Sequence, residues 1–540
     1  MKKQLAVMID LSRNAVMTVE RIKEFIRLLK EFHYDTLMLY IEDLYEIDGE
    51  PYFGYMRGRY THEELKEIDD YCYSIGVEVI PCIQTLAHLN QITNWVNTYS
   101  DIIDCDDILL VGEEKTYALI EKMVATMRKC FRSNRLHIGM DEAHNLGKGK
   151  YLQKHGYREP KYIFAEHLQR VSAICKQNGF IPMIWSDMPF RMSQPDNSYY
   201  GPTKNLTEEA IALIPSDIEM VYWDYYFDDE AHYEDMISGH ERFAGSFWTA
   251  GACWTFAGLA PHNVWSIRTT KPLLEVMERH GVNRHIMTLW HDGGGECPNF
   301  AMLPALCFTG EYFYGNKNIE DIKKKFFEIV KIPFDDFIAL DKMDLVDVKF
   351  EDMACQNPSK YMLYNDCFMG MCDTTVKDGA SEIYKSHAKQ LEKYICDERF
   401  GYIFEWAKAM CDLLVVKYDL GVRIRKAYKA KDKEELKDCL LRMKKAVVLM
   451  KNYYEKFKAL WFKDNKPFGF ELQDTRLGGA IFRLEQCILR LQAYVDGKID
   501  CIDELEIELY DVFGGGKEFG KKTGSQWNYN VIVTAGTVKS

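Results

Sequence analysis

The chain has 540 residues, enough for more than one domain and a large core. Apolar residues make up 47% and aromatic residues 13%, a composition that excludes disorder. With 68 Lys and Arg against 82 Asp and Glu, the formal charge is −14, which excludes a nonspecific grip on nucleic acid or an anionic membrane.

The first apolar run is cut by Asp10 and Arg13, so no secretory signal is expected. No later stretch is apolar for the roughly 18 residues that a membrane helix needs. From the start to about residue 312, short apolar runs alternate with stretches of helical period. Strands are predicted at 5–9, 36–41, 77–83, 136–140, 181–185, 219–223, 245–249 and 286–290. Amphipathic helices are predicted among them, at 19–32, 63–74, 162–177 and 264–280. This β/α alternation argues for a closed parallel barrel with helices outside. An open doubly wound sheet is the alternative, but no Gly-rich dinucleotide turn follows the first strand.

After about residue 318 the texture changes, and beyond Asp335 the only prolines are Pro358 and Pro467. Helices are predicted at 382–396, 402–429, 434–462 and 472–496, in a bundle pattern without sustained heptads. A short strand at 530–534 or a frayed end closes the chain. The expected fold class is therefore α/β, a TIM barrel over residues 1–315 followed by a mostly α-helical domain over 316–540. That domain is expected to cover an outer face of the barrel or to form a homodimer contact. Its polar, Gly-bearing segment 473–479, with Arg476, is a candidate to reach the barrel mouth and touch substrate. The 16 cysteines show no CxxC pairing or regular spacing, which suits reduced thiols and a cytoplasmic location.

A barrel collects its chemistry at the carboxyl ends of its strands. Here those ends carry Asp10-Leu11-Ser12-Arg13, Glu42-Asp43, Gln84 to His88, Asp141-Glu142, Trp185-Ser186-Asp187 and Tyr222-Trp223-Asp224-Tyr225. The seventh strand leads to Trp248 and Trp254, and the eighth to Trp290-His291-Asp292 and then Gly293-Gly294-Gly295-Glu296. A cation, carboxylates and indoles at one mouth suit a neutral polyhydroxylated ring, whose apolar face stacks while its hydroxyls pair with charge. The fourth strand end matters most. Side chains alternate along a strand, so adjacent Asp141 and Glu142 enter different environments and titrate differently, as acid catalysis requires. The same pair also fits an N-terminal helix cap.

Four motifs in this order resemble glycoside hydrolase family 20, the β-N-acetylhexosaminidases, over roughly residues 1–312. They are Asp10-x-Ser12-Arg13, Glu42-Asp43, Pro81-x-Ile83-x4-His88 and His137-x-Gly139-x-Asp141-Glu142, continued by Trp185, Trp223 and Trp290-x-Asp292. The arrangement looks most like a short bacterial branch in which a helical domain follows the barrel. The resemblance implies exo-acting, retaining hydrolysis of terminal β-linked GlcNAc or GalNAc through an oxazolinium intermediate, with no cofactor and no metal. In that scheme Glu142 is the acid and base, and Asp141 orients the acetamide. Arg13 binds ring hydroxyls with Asp292 or Glu296, Asp43 and His88 form a pair supporting the acid, and His137 supports the same motif. Trp185, Trp223, Trp254 and Trp290 wall and floor the sugar.

Departures from the family pattern are visible too. The seventh strand, Phe247-Trp248-Thr249-Ala250-Gly251, lacks the Tyr-x-Asp with which members commonly hold the acetamide oxygen. Tyr225 is assigned that role, with Tyr222 as competitor. Met140 stands where a small residue is usual, and no small domain is expected before the barrel, whose first strand begins almost at Met1.

Three rival readings compete. Asp141-Glu142-Ala143-His144 spells the DEAH box of helicases, but the nearest approach to a phosphate loop, 515–522, lacks the final Ser or Thr and lies downstream. A metal-dependent barrel hydrolase would use His88, His137, Asp141 and His144, which do not form a clean His-x-His pair. A non-catalytic sugar-binding protein would need neither acid.

Overall fold

The structure, a computed structural model, describes residues 2–346 and 357–510. The predicted strand at 530–534 and the segment 515–522 lie outside the described residues.

Eight parallel strands close into a barrel: β1 Gln4–Asp10, β2 Thr36–Tyr40, β3 Glu78–Cys82, β4 Arg135–His137, β5 Ile181–Trp185, β6 Glu219–Trp223, β7 Phe247–Ala252 and β8 Arg284–Leu289. Each strand pairs with its neighbours in sequence, and β8 returns to β1 with Gln4 opposite Arg284. The strands are buried nearly throughout, which explains why they read as continuous apolar runs. The first two outer helices start where the sequence supplies caps. The Thr18 hydroxyl accepts the Arg21 N–H before helix Val19–Glu31, and Thr61 with Glu64 forms a reciprocal capping box before His62–Ser74.

Two features escaped the sequence pattern. The β3–β4 crossover carries an antiparallel pair, Ile103–Cys105 and Ile108–Leu109, ahead of helix Glu114–Cys130. The seventh strand runs to Ala252 rather than residue 249, so Trp248 lies near its start, with its indole N–H donating to Glu219 at 3.1 Å. It is therefore at the far end of the strand from the mouth.

The rest of the described chain is helical. Helix Leu303–Phe313 is buried along its whole length. The long helices Gly401–Lys417, Lys433–Asp464 and Phe470–Val495 pack on one another, and the predicted helix 402–429 is divided at Tyr418 and Asp419. The two parts of the chain are joined by buried charge. Arg21, on the first barrel helix, meets Asp464 at 2.8 Å and donates to the Tyr402 hydroxyl at 2.9 Å. Backbone bonds join Thr18 to Asp464 and Lys466 to Val16 beside them. Among the described residues, no helix is long and apolar enough to cross a membrane.

Candidate active site

Strand β4 stops at His137 because the backbone turns left-handed. Gly139, Met140 and Glu142 have φ of 70°, 73° and 51°. For Met140 and Glu142 that conformation is strained, and such strain gathers at functional sites. Gly139 is required, since a Cβ there would lie 1.9 Å from Gln84 Oε1. Gln84 in turn uses Oε1 to accept the Met140 N–H at 3.1 Å and Nε2 to donate to Asp141 Oδ1 at 2.7 Å. The departure from regular strand delivers Asp141 and Glu142 to the same cavity, and the two are not a helix cap.

That cavity holds about 560 Å³ of empty space including its open mouth, a size suited to a small ligand. It is lined by Arg13, Tyr40, His88, Asp141, Glu142, Trp185, Trp223, Tyr225, Tyr226, Phe256, Trp290 and Asp292. Nine of the sequence-predicted site residues thus meet at one mouth. Trp185 and Trp290 lie with ring centroids 5.8 Å apart, and Trp223 stacks on Tyr225 at 5.4 Å. The Tyr225 hydroxyl accepts the Trp290 indole N–H at 3.0 Å. Tyr222 is buried elsewhere, bonded to Asp224 at 2.9 Å. The Trp185 and Trp223 indole N–H groups have no hydrogen-bond partner, as donors reserved for a ligand or water would.

The two acids have different surroundings. Asp141 has one oxygen on Gln84 and the other 3.1 Å from His88 Nε2, and its side chain is 13% exposed. Glu142 is 35% exposed, 3.7 Å from His88 and 3.5 Å from Arg191, so its carboxyl keeps freedom toward the cavity. Its backbone N–H donates to Asp187 at 3.0 Å, and Asp187 also accepts from Arg191. Desolvation opposes charge on Asp141, but His88 and Gln84 overcome it and hold the carboxyl below its ordinary range. Desolvation likewise opposes charge on His88, but the attraction of Asp141 raises it to about 10. Burial, reinforced by Asp141, pushes Asp187 up to about 7. Across neutral pH, then, Asp141 is a clamped anion beside a cationic His88.

Arg13, Tyr40 and Asp292 complete the cavity wall. Arg13 meets Glu42 at 3.0 Å, and Glu42 also accepts from the Tyr40 hydroxyl at 3.0 Å. Desolvation, opposed by Arg13, pushes Asp292 up to about 6, although the residue itself is exposed at the mouth.

Four sequence-predicted residues do not line the cavity. Asp43 is held by Arg57 at 2.9 Å, and the carboxylate facing His88 is that of Asp141. His137 is fully buried, accepts the Gly139 N–H at 3.1 Å and packs against Trp185 at 4.5 Å. Burial lowers it to about 3, so the ring is neutral. Trp254 stands behind the wall, its indole N–H donating to the Tyr225 carbonyl at 3.1 Å. Glu296 is enclosed between Lys360 and Arg476. Tyr40, Gln84, Glu42, Asp187, Arg191, Tyr226 and Phe256 lie outside the predicted set. Strand parity could have found the first three, because residues two apart share a face, and Tyr40 and Glu42, like Cys82 and Gln84, are two apart. Among the described residues, no three of His, Cys, Asp and Glu converge as metal ligands do.

Residues 6–251 match the family model described as "Glycosyl hydrolase family 20, catalytic domain", and residues 335–522 match "Glycoside Hydrolase 20C C-terminal domain". Hexosaminidase D of Homo sapiens is 25% identical over 248 residues, 43% of this chain and 48% of that protein. The Bos taurus protein of the same name is 22% identical over 247 residues, 42% of this chain and 64% of its own length. The chain thus spans about half of the human relative. A solved GH20 exo β-N-acetylglucosaminidase from Vibrio harveyi, in complex with N-acetylglucosamine, aligns with a TM-score of 0.46 at 14% identity, covering 63% of this chain and 58% of that one. The two family models account between them for most of the chain, which belongs to glycoside hydrolase family 20.

Proposed function

We propose that the protein is an exo-acting β-N-acetylhexosaminidase that hydrolyses terminal β-linked N-acetylhexosamine with retention, assisted by the substrate's own acetamide. The observation that carries this reading is the pairing of a clamped anion, Asp141, with a freer acid, Glu142, in one tryptophan-walled cavity. The sugar stacks on the indoles while Arg13 and Asp292 hold its hydroxyls. The acetamide oxygen attacks the anomeric carbon as Glu142 gives its proton to the departing glycosidic oxygen. Asp141 accepts the acetamide N–H and balances the positive charge that grows on the oxazolinium ring. Water then adds to the anomeric carbon as Glu142 takes its proton, and the ring opens back to the acetamide. Tyr225 is the residue assigned to hold the acetamide oxygen during attack. The described cysteines are all unpaired, which supports a reducing compartment, and we assign the cytoplasm.

Nitrophenyl N-acetyl-β-glucosaminide is expected to be hydrolysed at a rate unchanged by EDTA. Glu142→Gln is expected to lower kcat about a thousandfold on glycosides with poor leaving groups, and far less on the nitrophenyl glycoside, which needs little acid help. Equal losses on both substrates would contradict the acid role.

A further inference from the structure

The backbone on either side of Asp292 is anchored to different parts of the molecule. On one side the His291 N–H donates to Asp10 Oδ2 at 2.9 Å, tying the loop to β1. On the other the Gly293 carbonyl accepts Arg476 Nη1 at 2.7 Å, and Arg476 belongs to helix Phe470–Val495. The same nitrogen reaches Glu296 Oε1 at 2.8 Å, and Lys360 Nζ reaches Glu296 Oε2 at 2.5 Å. These three charged side chains are between 1% and 3% exposed, and none of them lines the cavity. The loop has no slack between them. A Cβ at Gly295 would lie 2.2 Å from Ala15 Cβ, two residues past Arg13, and one at Gly294 would lie 3.0 Å from Leu472. Apolar side chains would join two elements as firmly as a buried charge cluster does. A guanidinium holding a carbonyl and a carboxylate together fixes direction as well as distance.

We infer that the helical domain sets the substrate-binding position of Asp292, with Arg476 and Lys360 as positioning residues that act through Glu296 and the Gly293 carbonyl. The inference rests on the reading that the cavity holds a sugar ring. It assigns the helical domain a part in substrate recognition without contact with substrate.

The test uses the full-length protein and nitrophenyl N-acetyl-β-glucosaminide, with Arg476→Ala, Arg476→Lys, Lys360→Met and Asp292→Ala measured singly, and Arg476→Ala also in the Asp292→Ala background. Arg476→Ala is expected to raise KM about tenfold while kcat stays within about threefold, since binding remote from the scissile bond is lost. Arg476→Lys is expected to recover part of that loss, and Arg476→Ala to change KM by less than about twofold once Asp292 is gone. An unchanged KM with kcat reduced in proportion to the folded fraction would overturn the inference, as would full additivity with Asp292→Ala. Should Arg476→Ala fail to fold, Arg476→Lys and Lys360→Met decide between the same outcomes. If Asp292→Ala leaves KM unchanged, the sugar-binding reading itself fails; if it raises KM and the Arg476 and Lys360 variants do not, only the positioning role fails.

Discussion

Asp141 and Glu142 share a peptide bond and one cavity, yet one is fixed on two sides while the other keeps an open face. Asp292 adds a third carboxylate whose charge depends on pH. Desolvation, which outweighs Arg13, pushes its carboxyl up to about 6. Its raised value means that the folded chain holds this proton more tightly than the unfolded chain does. Ionised Asp292 therefore works against folding at neutral pH, and that penalty is relieved as pH falls through about 6. Sugar binding runs the other way, because only the carboxylate accepts from two hydroxyls. KM is expected to rise as pH falls through about 6, and Asp292→Asn to give a higher KM that no longer changes there. A KM that stays flat in wild type between pH about 7 and about 5 would contradict the assignment. At this scale the sequence shows which residues are available but not always which way they face. Asp43 and Glu42 were equally legible as carboxylates, and only the partnership of Glu42 with Tyr40 and Arg13 selects it. Glu296 has the right chemistry and the wrong neighbours, Lys360 and Arg476, which come from 64 and 180 residues away.

At the scale of the element, the turn after β4 does the organising. The apolar run 136–140 reads as a strand to its end, but regular pairing stops at His137 and the next residues adopt positive φ. Hydropathy cannot reveal that change, because Ile138 and Met140 are as buried as any strand residue. Gly139 was the available signal, since it is the residue that tolerates φ near 70° against Gln84. Gly139→Ala is expected to push Gln84 off Asp141 and Met140, costing about 2 kcal/mol of stability and lowering kcat about a hundredfold. Denaturant unfolding and steady-state rates check this. A variant of wild-type stability and rate would show that the turn has no such constraint. The β/α order, by contrast, was legible throughout. Buried parallel strands and capped amphipathic helices write their periods directly into the sequence.

Over the whole molecule, barrel and helical domain are held together by paired charges that neither part could bury alone. Arg21 and Asp464 lie far apart in sequence and meet at 2.8 Å with Tyr402. Arg21→Ala leaves Asp464 buried with the Tyr402 hydroxyl but without its ion-pair partner and is expected to cost about 3 kcal/mol, with both domains unfolding in one transition. Loss of one domain's signal while the other stays folded would contradict that coupling. Such long-range pairs are invisible to local pattern: segment 473–479 was legible as a candidate to reach the barrel mouth, but not the partners Glu296 and Gly293 through which Arg476 does so. Whether the acetamide oxygen is the nucleophile is tested most directly by a series of nitrophenyl glycosides bearing acetyl, fluoroacetyl, difluoroacetyl and trifluoroacetyl groups on the sugar nitrogen. If the acetamide oxygen attacks, kcat falls by orders of magnitude along the series as fluorine withdraws electron density from that oxygen. A flat series, with a glycosyl group trapped on a carboxylate of the enzyme, would contradict the account.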